Sequence, residues 1–315
     1  MPSAHRLLVG WLGITFALAL GSTPVRAADF VVHEWGTFTT HHGPDGAPVL
    51  WMPLQQTSDL PSFVLRASLR ATRKNSIEGT VRMETPVIYF YGDRKQTVSV
   101  GVGFPSGLIS EWYPRVRRTQ TGVRWPRVTM LPDVAAVQLP HEGEPSHYYP
   151  ARETDSVMLK SGRSQHEKFL FYRGVGTFDV PLRAQLDGDT VRVGVVGPDV
   201  VARAIVLERQ GDAVGFRAVE LTQAETSVDR PEITADALDA FERELLALLL
   251  AEGLYEREAH AMIETWRATW SEPGLRVLYV VPRRLTDEVL PLTIAPPPSD
   301  LVRVLIGRAE ILPDA

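Results

Sequence analysis

The sequence predicts an α+β protein: a mainly antiparallel β-sandwich body, then a helical hairpin and closing strands. Three observations carry this. Short alternating segments rich in Val, Phe, Tyr and Trp recur from residue 29 to residue 221. The apolar period becomes helical between about residues 230 and 271. Strand-like runs then return to the end of the chain. Strands segregated from helices point to α+β rather than to repeating βαβ units.

Residues 1–27 read as a secretory signal peptide. Arg6 supplies the positive start, Leu7 to Leu20 is an uncharged, mostly apolar run of 14 residues, and Val25-Arg26-Ala27 places small residues before a cleavage at Ala28. Fourteen helical residues rise only about 21 Å, too short for a hydrocarbon core of roughly 30 Å. Export to the periplasm or medium is therefore expected, with no stable membrane insertion after cleavage.

The mature segments follow in order. Asp29 to Thr40 alternates as a strand, and His41 to Gly46 reads as a loop. Residues 60–75 read as a short helix or irregular connector. Val81 to Tyr91, Val98 to Phe104, Leu108 to Tyr113 and Val123 to Leu131 read as strands, and residues 140–151 as a loop. Lys168–Arg173, Val191–Val196, Val200–Leu207 and Val214–Leu221 add more strands. Asp187-Gly188-Asp189 and Gln210-Gly211-Asp212 supply turns.

Thr234 is the expected N-cap of a first helix and Gly253 its C′ residue, with Leu238, Phe241, Leu245, Leu248 and Leu249 at helical spacing. A second helix runs from about Leu254 to Ser271 and stops at Pro273. Arg276–Val281 and Leu301–Leu312 close the chain as strands. The expected organisation is a leader (1–27), a β-rich body (28–230) and a helical hairpin with closing strands (231–315) packed on the same core.

Composition narrows the chemistry. The chain has 315 residues, no Cys and a formal charge of −5, which becomes −7 once Arg6 and Arg26 leave with the leader. Thiol catalysis and Cys-ligated metal are excluded. A mildly acidic protein is a poor nucleic-acid binder, because phosphate attraction needs a positive field.

The segment His33-Glu34-Trp35-Gly36-Thr37-Phe38 is the most unusual. Strand alternation puts Glu34 on the face of Phe30, Val32 and Phe38, and His33 on the other. Only a bulge, which Gly36 could supply, would bring both to one ion. Read as a regular strand, Val81–Tyr91 puts Glu84 on the face of Ile88 and Phe90. A carboxylate on an apolar face must be paired, hydrogen-bonded or protonated. Glu34 and Glu84 are thus candidate catalytic carboxylates or buried ion-pair partners. His33, Glu34, Glu84 and His166 are the candidate ligands of a divalent metal such as zinc, which would activate water for hydrolysis.

Other groups have plainer readings. Adjacent His41 and His42 read as solvated loop residues first and as metal ligands second. Glu256, His260 and Glu264 form an i, i+4, i+8 column of a kind that can ligate zinc or di-iron, but it drifts into solvent, while Glu258 flanks the apolar stripe and can cap a helix–sheet seam or reach a site. Arg115, Arg117, Arg118, Arg124 and Arg127 fall within thirteen residues that contain no acid. They can grip an anionic glycan, phosphate or carboxylate, or pair with acids elsewhere. Trp112, Tyr113, Trp125, Tyr148 and Tyr149 are stacking candidates if exposed.

His33 to Phe38 resembles the start of a group of uncharacterised exported bacterial proteins. Met83 to Tyr91, Phe104-Pro105 through Glu111-Trp112-Tyr113-Pro114, and Lys168 to Gly174 are similar to further segments of that group. The resemblance covers most of the mature chain. It implies a bacterial envelope setting and assigns no residue a role. Two functions remain open: an envelope protein whose sandwich binds a polymer or protein partner, and a metal-dependent hydrolase at the His/Glu segment.

Overall fold

The computed structural model describes residues 28–54, 60–68, 77–134, 137–234, 237–270 and 272–313; the expected leader, residues 1–27, lies outside them. The fold is α+β, built mainly of antiparallel sheets. The central sheet has nine strands in spatial order β13 (Ala213–Glu220), β12 (Arg203–Gln210), β15 (Gly274–Val280), β17 (Pro298–Ile311), β1 (Ala28–His42), β3 (Val81–Tyr91), β9 (Leu170–Gly176), β5 (Gly107–Tyr113) and β2 (Leu65–Arg66). Every pair is antiparallel except β1 with β17, which run parallel at its centre. A closing strand therefore sits beside the first strand of the body.

One face of this sheet is covered by α1 (Ala237–Ala251) and α2 (Glu256–Trp270), packed on Trp35, Val87, Tyr89, Phe171, Leu278 and Val304. The other face packs on two smaller sheets. One has three strands, β10 (Leu182–Asp187), β11 (Thr190–Val195) and β14 (Glu225–Asp229). The other has five, in order β16 (Leu292–Ala295), β4 (Gln96–Gly103), β6 (Gly122–Leu131), β7 (Met158–Ser161) and β8 (Gln165–Glu167). Phe30, Val32, Phe38, Ile88 and Phe90 meet Val98, Val100, Trp125 and Met130 across that second interface.

The layering explains the sequence pattern. β3 is apolar almost throughout because both of its faces are buried, whereas β4 alternates because only one is. Each large side chain fully buried here contributes about 1.5–3 kcal/mol. Gly253, at φ +97°, ends α1 as expected. Leu254 N–H donates to Leu249 O and Gly253 N–H to Leu250 O, a complete Schellman motif.

Several local expectations are corrected. β1 continues through His42, so His41 and His42 belong to the strand and not to a loop. Within 60–75, Leu65–Arg66 is a two-residue strand paired with β5, and 69–76 lie outside the described residues. Thr234 bridges to Val214, α1 is described from Ala237, and residues 235–236 are not described. The short helix α3 (Arg283–Val289) lies in a stretch assigned to no element, since seven residues give too few turns to establish a period.

Candidate functional site

His33 lies on the helix-facing side of β1. Its Nδ1 donates to Glu258 Oε2 at 2.6 Å. Glu258 gets there because it is the third residue of α2. From that position its carboxylate also accepts the Tyr255 backbone N–H at 3.0 Å, half of a capping box. Tyr91 and Tyr255 enclose the imidazole, with ring centroids 5.2 and 4.4 Å from it. Both His33 and Glu258 are buried. The Tyr91 hydroxyl is raised well above the usual tyrosine range by burial and then by the Glu258 charge. The seam role open to Glu258 in the sequence is the one it fills; His33 as its partner, 225 residues away, carries no sequence signal.

Glu34 points the other way, toward the smaller sheets, and is fully buried. Arg303 Nε donates to its Oε2 at 2.5 Å and the Tyr172 hydroxyl to its Oε1 at 2.5 Å. The same guanidinium donates to Asp287 Oδ1 at 2.7 Å and to Leu290 O at 2.8 Å. Burial opposes the charge on Arg303, but Glu34 outweighs it and holds the guanidinium above its ordinary pKa. Every oxygen of Glu34 is thus occupied by a structural donor.

Glu84 is not on the face of Ile88 and Phe90. Trp35 pairs with Val87 and Thr37 with Glu84, so Gly36 alone faces two residues of β3, Thr85 and Pro86. This bulge reverses the alternation of β3 and sends Glu84 to the helix-facing side. Thr85 takes φ +48°, a strained value for a β-branched residue. Glu84 accepts from the Thr39 hydroxyl at 2.8 Å and pairs with Arg82 at 3.0 Å. Burial pushes its carboxyl up, but Arg82, Arg308, Arg173 and the Thr39 hydrogen bond together bring it below its ordinary value.

The four candidate ligands therefore do not meet. Glu34 and Glu84 are on opposite faces of one sheet. His33 and Glu84 share a face but stand four residues apart along the ladder, about 13 Å at 3.3 Å per residue, whereas zinc ligands sit roughly 2 Å from the ion. His166 is on β8, in another layer. Among the described residues no three His, Asp or Glu side chains are grouped to hold a metal. Two clefts of about 520 and 930 Å³ open elsewhere, and none of the four residues lines either.

His166 instead belongs to a charged surface. The inner residues of the five-stranded sheet (Val98, Val100, Val102, Val123, Trp125, Val128, Met130 and Leu159) are core. On the outer face Thr97 pairs with Thr129, Thr129 with Lys160, and Lys160 with His166, one row across four strands. A parallel row holds Thr293, Gly101 and Arg124. Arg127 lies in the bulge between them. The Arg115 backbone N–H donates to Gln165 Oε1 at the β8 edge at 3.0 Å. Arg115, Arg117, Arg124 and Arg127 are exposed and have no carboxylate partner among the described residues. The five strands contain a single acid, Glu167; it is fully buried and held by Arg152 and Tyr148. The outer face of this sheet thus carries cations and no acid.

The aromatic candidates do not form a platform. Trp112, Tyr113, Trp125 and Tyr148 are core residues, and Tyr149 is half-buried. The indole N–H groups of Trp112 and Trp125 donate to Val116 O and Pro114 O. Glu256, His260 and Glu264 are exposed, as their angular drift implies.

No family model matches the chain, and no curated protein matches it. Among solved structures it is similar to "Fcho1 Mu homology domain (Danio Rerio) with bound Eps15 peptide", at 8% identity and a TM-score of 0.31, over 90% of this chain and 97% of that one. No helix among the described residues is long and apolar enough to cross a membrane.

Proposed function

We propose that this protein is exported to the bacterial envelope and acts there by binding. Its docking surface is the outer face of the five-stranded sheet, and its partner is a negatively charged polymer or protein. The observation that supports this is the set of exposed arginines with no carboxylate partner among the described residues: Arg124 and Arg127 beside Lys160, on strands whose single acid faces inward, and Arg115 and Arg117 on the connection that leads into β6. Exposed arginines without acidic neighbours keep their full field for a ligand. The charge is local, since the whole chain carries −5. The metal-dependent hydrolase reading has weaker support, because His33, Glu34, Glu84 and His166 each serve a different neighbourhood.

The test is binding of residues 28–315 to labelled polygalacturonate, polyphosphate and polyglutamate at 50 and 200 mM salt. Binding to at least one, weakened about 10- to 100-fold by the added salt, is expected from release of counterions at several contacts. Arg124→Gln/Arg127→Gln should abolish it while leaving the unfolding midpoint unchanged. No binding at low salt, or equal binding by the double variant, overturns the reading.

A further inference from the structure

We infer that the partner of the basic face is an acidic polysaccharide, lying across the strands; this rests on the reading of that face as the docking surface. Three features of the face point to a chain of this chemistry.

The face lies apart from both clefts: none of Arg115, Arg117, Arg124, Arg127, Lys160 and His166 lines either of them. The cations Arg124, Arg127 and Lys160 spread over β6 and β7, which suits repeated charges on a long ligand.

Hydroxyls and bare backbone stand between the cations on this face, with one apolar pair, Leu131 and Met158, beside Thr129 and Lys160. Thr97 and Thr129 share a hydrogen bond of 3.0 Å on the exposed side, and the Thr293 hydroxyl donates to Gly101 O at 3.3 Å. Each hydroxyl keeps acceptor capacity for a sugar hydroxyl. At Gly101 a Cβ would stand 2.8 Å from Thr293 Oγ1, so the Thr293 hydroxyl fills the place of a side chain there, beside Arg124. No Trp, Tyr or Phe projects from the outer side of these strands; Trp125 and Phe104 are buried beneath them. Single-stranded nucleic acid is held by stacking its bases on such rings, so it fits this surface poorly.

The geometry of the row matches a linear glycan. Thr97, Thr129, Lys160 and His166 present one side chain per strand, at the strand spacing of about 4.8 Å. A chain crossing the strands meets a polar group at each step: hydroxyls on β4 and β6, an ammonium on β7, an imidazole on β8. Arg124 and Arg127 flank the row, and their planar guanidinium groups suit two-oxygen capture of carboxylates.

The experiment measures affinities of residues 28–315 for polygalacturonate, polyphosphate, polyglutamate and oligo(dT), matched for charge at one ionic strength, beside Thr97→Val/Thr293→Val. Valine keeps the strand-favouring branched shape and removes only the hydroxyl. The expected result is at least 10-fold tighter binding of polygalacturonate than of the other three. The threonine variant should lose about 3- to 10-fold on polygalacturonate and nothing on polyphosphate. Equal affinities across the four polymers, a preference for any of the other three, or an unaffected threonine variant overturns the polysaccharide inference and leaves the basic face standing as a docking surface. Binding to none of the four overturns both.

Discussion

Gly36 and Pro86 meet across the β1–β3 ladder so closely that a Cβ on Gly36 would stand 2.9 Å from Pro86 Cα. The contact is backbone against backbone, at the bulge that turns Glu84 away from Glu34. Gly36→Ala must therefore push β1 and β3 apart. It should destabilise the protein by about 1–3 kcal/mol, the usual cost of forcing an extra group into a packed site. Urea midpoints of wild type and variant measure this; equal midpoints would mean that the bulge can move without cost.

Arg303 is the counter-charge of Glu34 in a sealed interface. Arg303→Met leaves the carboxylate buried with only the Tyr172 hydroxyl, and should cost about 3–5 kcal/mol. Glu34→Gln/Arg303→Met removes both charges and should recover a large part of that. A double-mutant cycle by equilibrium unfolding reads the coupling; additive single effects would show that the pair does not act as a unit.

Glu258 joins α2 to β1 through His33 and caps the helix through Tyr255. Glu258→Ala should cost about 1–3 kcal/mol from the unsatisfied imidazole and lost cap, lowering Tm by about 2–4 °C per kcal/mol in a chain of this size. Polymer binding by the folded variant should be unchanged, because the seam is on the opposite side of the central sheet from the basic face. A binding defect at full foldedness would implicate the seam in function.

Acidification should weaken the protein in two stages. His42 is buried, its Nδ1 donating to Gly46 O at 2.8 Å and its Nε2 accepting from Thr40, and burial lowers its pKa. The unfolded chain then takes up the proton first, so stability present above about pH 6.5 is lost as pH falls below it. Glu84 is also depressed, with burial opposing but Arg82 and its other partners prevailing. Its contribution, present above about pH 4.3, is lost as pH falls further. Urea midpoints from pH 7.5 to 3.5 should show both stages, with His42→Gln flattening the first and Glu84→Gln the second. A curve that the two variants leave unaltered would show that other groups dominate.

Much of the fold was legible because it depends on local period. Val98, Val100 and Val102 alternate with Ser99 and Gly101, and that pattern alone places a half-buried strand with a polar outer side. The leucine spacing of α1 and the left-handed Gly253 likewise follow from one helix and its end. Glu84 defeated the same arithmetic. Alternation counts residues along one strand, and a bulge is set by the partner strand, where Gly36 makes room for Pro86.

The sequence by itself determined which residues had to be accounted for: Glu34 and Glu84 as carboxylates in apolar strands, and five arginines in a stretch with no acid. Only the tertiary structure decided how each was satisfied. Glu34 found Arg303, 269 residues away, because β1 and β17 lie parallel side by side. Arg124 and Arg127 have no carboxylate partner among the described residues, because they lie on the outer side of a strand in a sheet whose one acid faces inward. Burial and charge demand a partner for a side chain, and that demand is readable from residue type and period. The partner's identity depends on strand order and register, which are properties of the assembled sheet and not of any segment within it.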